Sequence, residues 1–129
     1  MTRMWGVDPR LLCDQHLGGE YSAGEHVEMH MFLGGIRKGH SVQGYIDGGI
    51  VDPHRVFVRH EALVVEMERR GMQHRSPMVL TPDDLAAIAS LPSTIIDAEA
   101  NLVELARRCE RCREIQAEPA KAGAPGRIS

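Results

Sequence analysis

At 129 residues, with 43% hydrophobic and 26% charged side chains, the chain is sized for one domain around one core. An odd count of three cysteines argues against a disulfide framework and for a reducing compartment. No apolar run approaches the ~20 residues of a membrane span, and the opening has no leader-like apolar stretch, so a cytoplasmic chain is expected. A formal charge of −3 with histidine neutral is low for a nucleic-acid binder, an objection softened by seven histidines that titrate near neutrality.

Asp8-Pro9 reads as an N-cap followed by proline at the first helical position, opening a helix that takes in Leu11, Leu12 and His16. Gly18, Gly19 and Gly24 interrupt it, each costing about 1 kcal/mol against alanine inside a helix. Helicity is expected to resume at Glu25 and run to about Lys38, with Val27, Met31 and Ile36 on or near one face. The glycine-rich stretch from Gly39 to Asp52 reads as a loop touched by short extended pieces. Asp52-Pro53 repeats the start signal. Val56, His60, Leu63, Val64 and Met67 then keep helical spacing up to Gly71, a natural stop. Thr81-Pro82-Asp83-Asp84 starts a short helix to about Ser90, and Leu91-Pro92 breaks it. A last helix is expected from Thr94 to Gln116, with Ile95, Ile96, Leu102, Leu105, Cys109, Cys112 and Ile115 roughly on one side. The Pro/Gly/Ala-rich tail is expected to fray. The expected architecture is all-α: a compact single domain over residues 1–116, of three main helices with long connecting loops and one short extra helix, then a flexible tail over 117–129.

Several residues can carry chemistry. Thr2 is small enough to allow removal of Met1, which leaves a free α-amine. With an ordinary pKa near ~7.7–8.0, such an amine is partly neutral at physiological pH and can attack a carbonyl carbon. Glu25 and Glu28, three apart, share a helix face, either as an acid–base pair or as a solvated face. His26 and His30 are four apart, but the glutamate of a zincin helix is not in its place after the first histidine. Cys109 and Cys112 form a single "CERC". It reads first as core packing, and otherwise as half a metal site completed by Cys13 or a histidine, or as a redox pair. Arg107, Arg108, Arg111 and Arg113 alternate with Glu104, Glu110 and Glu114, the pattern of a solvated, salt-bridged face.

Taken in order, "MTR", "DQHL" at 14–17, "VEMHMFLGGIRKG" at 27–39 and "RHEALVVEMERRGMQHRSP" at 59–77 resemble the pyrimidine-dimer DNA glycosylases of the phage endonuclease V type. The resemblance covers residues 2–78, with a fainter match over 95–115. It implies an all-α fold with no metal and no cofactor. It also implies a bifunctional reaction, base excision followed by β-elimination, on double-stranded DNA carrying a lesion. Thr2 matches the amine nucleophile and Glu28 the assisting glutamate. Arg3, Gln15 and His16 match the polar surround, and with His30, Arg37 and Lys38 they are the implied DNA contacts. A monomer is expected.

Three departures accompany the resemblance. Roughly five residues are inserted between His16 and Glu28, which brings Glu25 and Glu20 forward as rivals for the acid. Val27 replaces the usual arginine. The tail carries no aromatic residue, leaving Trp5, Tyr21 and Tyr45 as the rings available for a wedge or stack. Two other classes stand beside the repair enzyme: a catalytically inactive DNA-binding module on the same fold, and a metal-dependent protein centred on "CERC".

Overall fold

The computed structural model describes residues 3–18, 24–73 and 76–118. Among them the chain forms seven α-helices and no strand: α1 (Asp14–Leu17), α2 (Glu25–Arg37), α3 (Gln43–Asp47), α4 (Val56–Arg69), α5 (Pro82–Ala89), α6 (Ala98–Arg108) and α7 (Glu110–Ala117). None of these is long and apolar enough to cross a membrane. The all-α expectation holds, whereas the count of three main helices and one short one does not.

The three proline start signals form as expected. Asp8 and Asp52 each accept a backbone hydrogen bond two residues on; each opens a 3₁₀ turn, Pro9–Leu11 and Pro53–Arg55, and the second runs straight into α4. The first turn ends at Leu12, so no continuous helix reaches His16. Thr81 and Asp84 form a reciprocal capping box at the start of α5, satisfying two amides that the helix leaves unpaired. Gly71 ends α4 at φ 77°, a conformation that a side chain would strain.

α2 and α4 are the main packed pair, with α5 and α1 against α2 and with α7 against α6 and the first 3₁₀ turn. Met29, Phe32 and Leu33 from α2 meet Val56, Leu63 and Met67 of α4 in one core with Trp5, Leu12, Leu17 and Leu105. The expected α2 face is therefore corrected. Met31 is 55% exposed, because the 3.6-residue period that buries Met29, Phe32 and Leu33 turns it outward. The loop from Gly39 to Asp52 contains α3, whose Ile46 is buried. Apolar contact there overrides the poor helix propensity of a glycine-rich stretch.

The last helix is also corrected. It begins at Ala98, since Asp97 caps it by accepting from Ala100 N–H. Ile95, placed on the apolar side by spacing, lies before it and is 87% exposed. It breaks at Cys109 (φ −134°, ψ 112°), whose thiol caps α7 by accepting from Cys112 N–H. The expected tail from residue 119 onward lies outside the described residues.

One arginine ties the opening segment to α4. Arg70 donates to the carbonyls of Pro9 and Leu12 and to the carboxylates of Asp14 and Glu66. Burial favours the protonated form of Glu66, but its hydrogen bonds with Arg69 and Arg70 outweigh this and hold its pKa below the ordinary value. Arg70→Met is expected to cost about 1–3 kcal/mol in urea unfolding, since it leaves the carbonyls of Pro9 and Leu12 without their donor and Glu66 to Arg69 alone. A loss below about 0.5 kcal/mol, the range of surface substitutions, would show that the clamp is dispensable.

Candidate active site and cysteine cluster

The site begins with the way the opening segment lies on α2. Met4 N–H donates to Ile50 carbonyl at 2.9 Å. Gly6 then sits at φ 74°, with a would-be Cβ only 2.8 Å from Ile96 Cγ2, so only glycine fits that crossing. Glu25, at the first position of α2, is fully buried. It accepts backbone hydrogen bonds from Trp5 and Gly6 and is gripped by Arg59 of α4 at 2.5 and 2.9 Å. Arg59 and two amides occupy its lone pairs, so Glu25 is a structural clasp, poorly suited to moving protons.

Glu28 is the opposite case. It is only 6% exposed, and its Oε2 has no hydrogen-bond partner among the described residues. Burial pushes its pKa above the ordinary value of 4.5, because desolvation disfavours the charged form. Arg3 Nε and Trp5 Nε1, on the adjoining segment, are likewise buried and unpartnered. Buried polar atoms are nearly always hydrogen-bonded, so these three atoms, on the opening segment and the helix beneath it, stand out among the described residues.

Arg3 reaches Asn101 of α6 through Nη1 at 3.2 Å and lies 4.9 Å over the Trp5 ring, with Arg108 at 5.2 Å from the same ring. Trp5 itself is 1% exposed, so it is core and no wedge. Tyr45 meets Phe32 edge-on at 5.5 Å. Gln15 and Lys38 are exposed. The remaining expected DNA contacts are engaged within the protein. Arg37 makes a paired contact with Asp84 at 3.0 and 2.7 Å and donates to Val79 carbonyl. His30 Nε2 lies 3.0 Å from His60 Nε2 and 2.8 Å from Ser76 carbonyl, and His26 packs beside both rings. His16 Nδ1 lies 3.3 Å from Cys13 Sγ, and its ring meets Trp5 edge-on. Thr2, Glu20 and Tyr21 lie outside the described residues.

Among the described residues two groups of potential metal ligands emerge. His26, His30 and His60 form one; Cys13, His16, Cys109 and Cys112 form the other, and within each group the ligand atoms lie within 4.8 Å of one another. The sequence offers Cys13 or a histidine as partners for "CERC", and the structure brings Cys13 and His16 together beside it; which of the seven histidines would do so could not be read from spacing. Arg59 opens one of the matched stretches but was given no role there, and Asn101 lies in no motif; the part each plays depends on a contact distant in sequence. The apolar cleft lined by Pro53, Phe57, Leu80, Leu85 and Ile88 holds none of the expected site residues.

Compared with known proteins, the chain matches a family model described as pyrimidine dimer DNA glycosylase over residues 2–80. No curated protein and no solved structure matches it.

Proposed function

The chain belongs to the pyrimidine dimer DNA glycosylase family, and from that premise we propose that it excises a damaged base through an imine at the Thr2 α-amine and then nicks the strand by β-elimination. The observation that carries the proposal is the buried, unpartnered carboxyl oxygen of Glu28, one helical turn beyond the clasp that holds Trp5 and Gly6. One turn is ~5.4 Å. The three residues from Trp5 back to Thr2 span at most ~10 Å when extended, so the amine has the reach to meet Glu28.

In the proposed reaction the amine forms a bond to C1′, and the base leaves with the electrons of the glycosidic bond. The attached amine passes a proton to the ring oxygen O4′ as its lone pair expels the C1′–O4′ bond, giving a protonated imine. The ionised Glu28 steadies the positive charge that develops there and takes the C2′ proton. The electrons of that C–H bond form the C2′–C3′ double bond, and the 3′ phosphate departs with the C3′–O pair. Arg3, adjacent in sequence to the amine, lowers its pKa through like charge. Arg3, Gln15 and Lys38 are assigned to phosphate or flipped-base contacts, since chemistry at C1′ requires a nucleotide, or its partner base, to leave the stack. His16, His30 and Arg37, like Arg3, have partners within the protein, so a DNA contact from any of the four shares or exchanges those partners. No observation favours the inactive DNA-binding module.

Borohydride reduction during incubation with duplexes carrying a pyrimidine dimer or an abasic site is expected to trap a covalent protein–DNA adduct. Reductive methylation or an added residue before Thr2 is expected to abolish it. Base release with no trappable adduct would contradict the imine route.

A further inference from the structure

We propose that Cys13, His16, Cys109 and Cys112 bind one zinc ion in a tetrahedral site that staples the opening segment to the junction of α6 and α7. A zinc ion ~2.3 Å from sulfur and ~2.0 Å from imidazole nitrogen sets tetrahedral edges of roughly 3.8 Å between sulfurs and roughly 3.5 Å from sulfur to nitrogen. The protein comes close to three of the six edges, with all four ligand atoms within 4.8 Å of one another. Cys13 Sγ to Cys109 Sγ is 3.9 Å, Cys13 Sγ to His16 Nδ1 is 3.3 Å and Cys112 Sγ to His16 Nδ1 is 3.6 Å.

The surroundings fit a thiolate-bound ion. Cys13 N–H points at Cys112 Sγ and Cys112 N–H at Cys109 Sγ, both at 3.4 Å. Such amide donors steady ligand sulfurs and spread their charge. Core packing accounts for two buried sulfurs and a third, half-buried one at Cys109 but gives no reason to aim an imidazole nitrogen among them. A disulfide would use only two of the three cysteines and leave His16 without a role. Three thiolates and one imidazole favour zinc over the hard oxygen-seeking cations.

The ion also explains the break at Cys109. A continuous helix there would give up the cap in which Cys112 N–H meets Cys109 Sγ. Gln15 lies between the two N-terminal ligands in sequence, and Trp5 packs on the ring of His16. The staple therefore holds the segment from which Arg3 and Gln15 project.

The test uses the full chain purified without a histidine tag. Elemental analysis is expected to give about one zinc per chain. Cobalt exchanged into the site should show thiolate-to-metal charge transfer with tetrahedral visible bands, and X-ray absorption should place sulfur in majority around the metal. Cys112→Ser and Cys109→Ser should each bind zinc at least ~10-fold more weakly. Because losing a ligand also threatens the fold, cobalt uptake by the unaltered chain decides the matter by itself. A reduced chain that takes up neither zinc nor cobalt overturns the proposal. Zinc ligated by nitrogen alone overturns it too, placing the ion at the histidine trio, and stoichiometric iron overturns the assignment of the ion.

Discussion

Glu28→Gln is expected to slow base release and strand scission by ~10²–10⁴-fold, the range of a positioned acid–base group, while raising the thermal stability of the protein. Both effects come from the same burial. Desolvation raises the Glu28 pKa in the folded state, so the folded protein binds a proton more readily than the unfolded chain. Stability from this group is therefore fully present below the ordinary value of 4.5 and falls as pH rises through the raised folded pKa. Glutamine carries no charge to desolvate and removes that cost at neutral pH. Activity runs the other way in the parent protein, because the carboxylate is the working form; the acid limb of its pH–rate profile should lie above the ordinary glutamate range. Single-turnover nicking and thermal melts at neutral pH check both halves. Full activity in Glu28→Gln would remove Glu28 from the chemistry, and a lower melting temperature would contradict the account of its burial.

Arg59→Met is expected to cost about 3–5 kcal/mol, the usual penalty for stranding one member of a buried ion pair. Arg59 is 11% exposed and its partner Glu25 fully buried. The substitution leaves a carboxylate in the core with only the amides of Trp5 and Gly6 to satisfy it. Domains are stable by roughly 5–15 kcal/mol in total, so the variant should unfold near ambient temperature or within a few degrees of the assay range. Adding Glu25→Gln should restore much of the loss, since the amide oxygen still accepts from the two backbone N–H groups and no unpaired charge remains. Urea unfolding of both variants separates charge from packing. A double variant no better than Arg59→Met would mean that the pair holds the opening segment by shape alone.

The local signals of the fold were legible because their physics is local. Asp-Pro and Thr-Pro-Asp-Asp starts cap helices with atoms two or three residues away, and α2 begins where expected, at Glu25, and ends within a residue of Lys38. What escaped depended on distant contacts. α3 exists because Ile46 finds the core, and the break at Cys109 coincides with sulfurs gathering from residues 13 and 112. The order of motifs around Thr2 and Glu28 pointed to the family, and the family match agrees. Spacing alone could not rank Glu25 against Glu28. The difference between a clasped carboxylate and an orphaned one lies in Arg59, thirty-four positions along the chain.

The central claim is that the α-amine of Thr2 is the reagent and Glu28 its partner. Peptide mapping by mass spectrometry of the borohydride-trapped adduct tests it most directly. The sugar remnant is expected on the amine of residue 2 and nowhere else. A remnant on the ε-amine of Lys38, or on any other lysine, would contradict the account.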